Sequence, residues 1–150
     1  MATLRAHGLA VERPAGWDVA IYRRAPADGA TTHPVVHAAN FALPKRRGDF
    51  GIGAVERMGP GNVFVVLFEY EPAAAGTPLF ADAGRPRPQP GDFHPRALQR
   101  TLPGQAGAQW FFTEARRPFS LYTVLGSYAR RHALVPQVRQ IVAGFRIEGA

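Results

Sequence analysis

The chain contains no cysteine. Disulfides, thiolate metal sites and a thiol nucleophile are excluded with it. The compartment expected for such a chain is a reducing one, the cytoplasm. Lysine is nearly absent too: Lys45 is the single lysine among 18 basic residues, the other 17 being arginine. No apolar run approaches the roughly 20 residues that cross a bilayer. The longest, Val63 to Phe68, has the length of a strand, so no membrane span is expected. The opening Met1-Ala-Thr-Leu-Arg lacks the apolar core and small-residue cleavage site of a secretory leader, and none is expected. No serine sits in a G-x-S-x-G elbow, which removes the usual mark of a hydrolase nucleophile.

What is present describes a globular chain. Its 150 residues suit one domain, and 46% hydrophobic with 19% charged residues are enough apolar material for a core. The formal charge is +7. Such an excess can serve nucleic acid, an anionic ligand or an acidic partner. Arginine, alanine, glycine and proline are abundant together, as a GC-rich genome also makes them, so charge alone does not define the partner.

Hydrophobic periodicity orders the elements. Leu4 to Glu12 reads as a strand broken by Pro14-Ala-Gly16, and Trp17 to Tyr22 as a strand or short helix. Arg23 to Pro34, with Asp28-Gly29, reads as a loop. Val35 to Phe41 is a strand, Lys45 to Asp49 a charged turn, and Phe50 to Met58 a further strand. Gly59-Pro60-Gly61-Asn62 fits a type II turn, with proline setting φ at its second position and glycine supplying positive φ at its third, so a hairpin is expected. The next strand, Val63 to Glu71, is apolar at both parities through Phe68, the pattern of a strand buried on both faces. Pro72 to Gly107 holds seven prolines and reads as irregular, with a helical turn within Asp92 to Leu98 and a short strand over Ala97 to Leu102. Ala108 to Glu114 and Phe119 to Ser127 are strands joined by Arg116-Arg117-Pro118. Leu134, Val138, Ile141 and Phe145 recur at helical spacing. Pro136 is expected in the first turn of that helix, Gly144 at a left-handed cap, and Phe145-Arg-Ile147 as a closing strand. The expectation is an α+β fold: an antiparallel sheet of about six strands with the C-terminal helix packed on it, sandwich-like, and one sheet face left for the irregular stretch or a second subunit to cover.

The segment Gly8-Leu-Ala-Val-Glu-Arg-Pro-Ala-Gly-Trp17, a strand followed by P-x-G-W, resembles the opening of Mog1/PsbP-like α/β sandwich domains. The antiparallel meander and the helix running into Phe145-Arg-Ile147 are similar as well. The resemblance covers most of the chain in outline, without the stretch from Pro72. It implies a sandwich fold and a binding or accessory role, and it brings no catalytic residues.

The candidate chemistry is sparse. His33 and His37, with His94 or Asp92, have the spacing of metal ligands only on a helix. On a strand they stand about 13 Å apart. Gly51-Ile-Gly53 lacks the third glycine and following helix of a phosphate loop and reads as a bulged strand. Ser120, Ser127, Thr101, Thr113 and Thr123 have no evident base. An enzyme would draw its base from Glu56, Glu69, His33 or His37, with Glu69 and Glu71 sharing a strand face. No catalytic, cofactor-binding or metal-ligating residue is assigned, and no cofactor is expected. Arg46, Arg47, Arg116, Arg117, Arg130 and Arg131 are the anion-binding candidates, with Trp110 and Phe112 as stacking platforms for nucleic acid if exposed. Arg85, Pro86, Arg87 and Pro88 are the partner-binding candidates, because long proline-rich loops commonly carry function. The expected partner is a protein or a second copy of the chain.

Overall fold

A computed structural model describes residues 2–27 and 30–149. Among the described residues eight strands form two antiparallel sheets, accompanied by one α-helix. The strands are β1 (Ala2–Ala6), β2 (Leu9–Arg13), β3 (Asp18–Tyr22), β4 (Val35–Ala39), β5 (Val63–Glu69), β6 (Ala106–Glu114), β7 (Arg117–Leu125) and β8 (Phe145–Ile147), and the helix is α1 (Arg131–Ala143). The larger sheet runs β3-β4-β5-β7-β6 and the smaller β1-β2-β8. The α+β sandwich with a C-terminal helix is therefore the architecture, with its strands divided between two sheets rather than joined in one.

β5 lies at the centre of the larger sheet, between β4 and β7. Its unbroken apolar sequence follows from that place, because both of its faces are buried. On one face Val63, Val65 and Leu67 join Leu121, Leu125 and Phe119 beneath α1. The helix contributes Leu134, Val135, Val138, Ile141 and Val142, and the smaller sheet contributes Leu9, Val11 and Phe145. On the other face Phe64, Val66, Tyr122 and Val124 meet Ala54 and Val55. Phe41, Leu43, Phe50, Met58, Leu98 and Leu102 close that layer, so the face expected to lie open is covered by this chain's own loops. Proline-rich chain also shields the outer edge of the sheet. Ala83 bridges to Thr113 and His94 to Gly107 along β6.

Several expected elements take another form. The first strand is a hairpin: His7 (φ 54°) and Gly8 (φ 73°) make a two-residue turn between β1 and β2. A side chain at Gly8 would stand 2.8 Å from the Arg117 guanidinium, so the turn needs glycine there. Trp17 to Tyr22 resolves as a strand. Phe50 to Met58 is not a strand. Gly51 (φ 93°) and Gly53 (φ 99°) turn the chain back on itself, and Val55–Arg57 form one 3₁₀ turn. A Cβ at Gly51 would lie 2.5 Å from the Phe64 ring, so the glycine lets this cover approach the sheet. Gly59 to Asn62 does turn, closed by Asn62 N–H on the Gly59 carbonyl at 3.1 Å. It joins a covering loop to β5 rather than two paired strands. Gly61 is not among the glycines of positive φ, so the turn is not type II.

No strand forms over Ala97 to Leu102, and no helical turn over Asp92 to Leu98; a 3₁₀ turn lies just before it at Pro90–Asp92. β6 and β7 are joined by Ala115 (φ 53°) and Arg116 (φ 64°), and Arg117 and Pro118 already belong to β7. Pro136 lies inside α1 rather than in its first turn, on the exposed side, while the buried stripe holds the helix on either side of it. Gly144 caps the helix at φ −84°, not in the left-handed region. The expected loop of residues 23–34 is irregular where described; Asp28-Gly29 lies outside the described residues.

Candidate functional site

Three of the four acid–base candidates, Glu56, Glu69 and His37, are held in bonds of their own. Glu69 is buried and grips Arg117 with both oxygens, at 2.9 and 2.7 Å. Arg117 also donates to the carbonyls of Gly8, Glu148 and His7, so the pair clasps the larger sheet to the smaller one. Glu56 accepts from the Gly53 N–H at 2.7 Å and meets Arg100 at 3.2 Å. His33 and Glu69 do line a common cavity of about 500 Å³, with Phe68, Tyr70 and Glu71.

His37 lies elsewhere, fully buried in the covered sheet face. Its Nδ1 accepts from Arg47 Nε at 2.7 Å, so the ring proton sits on Nε2, which donates to the Asp49 carbonyl at 2.8 Å. Tyr22 donates to the Asp49 carboxylate at 2.6 Å, and Arg24 Nε joins the same oxygen at 2.8 Å. Burial pushes the His37 imidazole down to about 4, against the opposing pull of the Asp49 carbonyl. Burial and the Asp49 carboxylate push the Tyr22 phenol well above its ordinary range. These groups face one another rather than a cavity. What they accomplish is mechanical: they fasten residues 44–49 to β3 and β4. Among the described residues, no group of three or more His, Asp or Glu is arranged to hold a metal ion.

The six anion-binding candidates do not share one surface. Arg116 immediately precedes β7 and Arg117 begins it, whereas Arg130 and Arg131 follow its far end. The nine-residue strand separates them by about 26 Å at roughly 3.3 Å per residue. Arg117 is spent on Glu69, Arg47 on His37 and the Pro44 carbonyl, and Arg131 lies over the Tyr128 ring at 4.1 Å. Arg46, Arg116 and Arg130 are exposed. Phe112 is a core residue, and Trp110 is half-buried with its ring 6.0 Å from Phe93, so neither is an open stacking platform.

The partner-binding candidates have a different setting. Arg85 forks onto Glu114 at 3.0 and 2.6 Å and donates to the carbonyls of Val142 and Phe145 at 2.9 and 2.6 Å. It thus caps the end of α1 and ties β6 to β8. On either side of it lie two adjoining cavities, of about 640 and 320 Å³, which share Arg85 and Ala143. The larger is lined by Arg5, Arg146, Glu114 and Glu148, the smaller by Pro86, Arg87, Pro88, Arg139 and Val142. Arg139 holds the proline segment by donating to the Pro88 carbonyl at 2.7 Å and to Gln89 at 2.8 Å.

Arg5, Arg139 and Arg146 are not singled out by any motif. For two of them a signal is present: Arg5 alternates with Leu4 and Ala6, and Arg146 with Phe145 and Ile147, so each points away from a buried parity. Only strand pairing reveals that Arg5, Ala10 and Arg146 stand in one row across the smaller sheet.

No family model, curated protein or solved structure matches the chain.

Proposed function

We propose that the chain is a non-catalytic binding or accessory domain that acts through a protein partner, in the cytoplasm. The observation that carries this reading is the groove beside Arg85–Pro88. A proline-rich segment is tied to α1 through Arg139 and lines the smaller of two adjoining cavities, with Arg85 lining both. A surface organised in advance loses little conformational freedom on binding, which favours recognition. The commitment of Glu56, Glu69 and His37 to bonds within the fold supports binding over catalysis. The order of hairpin, antiparallel sheet, helix and closing strand supports the resemblance to Mog1/PsbP-like domains. The lack of cysteine supports a reducing compartment.

A photo-crosslinking amino acid placed at Arg87, in the native cytoplasm, tests the reading. A discrete protein adduct at that position, absent when the same group replaces exposed Gln99, is expected. An adduct of twice the chain's mass would identify self-association. Identical, diffuse labelling from both positions would overturn the proposal.

A further inference from the structure

The groove beside Arg85 has two halves of unlike chemistry. In the larger cavity, Arg5 and Arg146 rise from the two outer strands of the smaller sheet with only Ala10 between them. Neighbouring strands lie about 4.8 Å apart, so their Cα atoms are separated by about 10 Å. Both side chains are exposed. Arg5 makes no side-chain hydrogen bond among the described residues. Arg146 donates to the Ala143 carbonyl at 3.1 Å and reaches a carboxylate, that of Glu12, only at 3.6 Å. Across both cavities stand five arginines, residues 5, 85, 87, 139 and 146, against Glu114 and Glu148. Glu114 is neutralised by Arg85. In the smaller cavity the aliphatic surface comes from half-buried Pro86 and exposed Ala143, with Pro88 and Val142 buried behind them.

We infer that this groove takes an extended peptide segment of the partner, its carboxylate side chains lying between Arg5 and Arg146 and an adjoining aliphatic side chain seated against Pro86 and Ala143. The inference rests on the binding role proposed above and names the chemistry of the partner. Charge complementarity selects the acidic portion, and guanidinium groups suit carboxylates because they present paired donors. The aliphatic portion follows from the apolar wall. Nucleic acid fits less well. Of the lining residues only Phe145 is aromatic, and it is 3% exposed, so no ring is offered for base stacking. The remaining arginine pairs lie at opposite ends of β7 and make no continuous phosphate track.

Fluorescence anisotropy with three labelled probes tests this: a peptide of three aspartates followed by two leucines, its asparagine counterpart, and an oligothymidylate of similar length. The aspartate peptide is expected to bind at low salt, the asparagine peptide at least tenfold more weakly. Arg5→Ala with Arg146→Ala should lower affinity for the aspartate peptide at least tenfold, and Arg57→Ala, an exposed arginine elsewhere, should leave it unchanged. Equal binding of both peptides, or an equal loss in the Arg57→Ala protein, would overturn the inference. Tighter binding of the oligothymidylate would overturn it in favour of nucleic acid. A discrete adduct at position 87 that excess aspartate peptide fails to suppress would end this inference while leaving the binding role intact.

Discussion

On one face of the five-stranded sheet lie a helix and a second sheet; on the other lie loops with almost no regular structure. The first cover is apolar in its interior, where α1 satisfies its own backbone and presents an apolar stripe, and its specific bonds stand at the margins, where Arg117 and Arg85 clasp it to the larger sheet. The second cover pairs its backbone mainly in short local turns and has no repeating stripe. It is held by particular side chains instead: His37, Arg47, Tyr22 and Asp49 fasten residues 44–49, and Gln105 Nε2 donates to the Val55 carbonyl at 2.8 Å. Aromatic rings fill the space between, with Phe50 stacked on Phe68 at 5.1 Å and edge-on to Tyr122 at 5.7 Å. A regular element packs by pattern, whereas an irregular one packs by individual anchors and becomes sensitive to each of them.

The largest expected effect breaks the helix-side cover at its margin. Glu69→Ala leaves the Arg117 guanidinium buried without its counter-charge and should cost about 3–5 kcal/mol. Replacing both partners with methionine should restore most of that loss. Urea unfolding of the two proteins measures the difference, and an equal loss in both would show that the Arg117 bonds to the Gly8, His7 and Glu148 carbonyls, rather than its buried charge, carry the effect.

The loop-side cover should respond to pH. The unfolded chain takes up a proton on His37 near 6.5, the folded one near 4. Folding therefore disfavours the protonated ring: this contribution to stability is present in full above pH 6.5 and is lost as pH falls toward 4. The loss is about 3 kcal/mol, since each tenfold change in proton affinity corresponds to roughly 1.4 kcal/mol. Denaturation midpoints at stepped pH should fall through that window and flatten in a His37→Gln protein. A wild-type profile as flat as the variant's would mean that the ring is not held neutral.

The smallest effect has the opposite sign. Thr123 is fully buried on the helix face, and its hydroxyl has no hydrogen-bond partner among the described residues. Thr123→Val keeps the shape, removes the unmet polar group and should stabilise the fold by about 1 kcal/mol. Thermal unfolding would register this as a rise in Tm; a fall would show that the hydroxyl is satisfied in solution.

Legibility in the sequence divides along the same line. β5, β6, β7 and α1 announce themselves because periodic burial writes a period into the chain. The alternation across Gly51 to Arg57 imitates a strand, yet the two glycines at positive φ make it a turn. The β1–β2 hairpin is hidden because His7-Gly8 carries no proline and interrupts the alternation only briefly. Of the groove, Arg85 to Pro88 stand out as a proline-rich segment, while Arg5, Arg139 and Arg146 do not, being distant in sequence from it and from one another.

By itself, then, the sequence determined that an antiparallel sheet with β5 buried on both sides would carry a C-terminal helix, because apolar residues at a regular spacing can be hidden from water in few ways. The tertiary structure alone decided which loops cover the second face, which arginines are consumed in ion pairs, and which converge beside Pro86 and Pro88. Those outcomes depend on strand order and register, which bring residues 5, 85 and 146 to one place, and no local pattern encodes such a meeting.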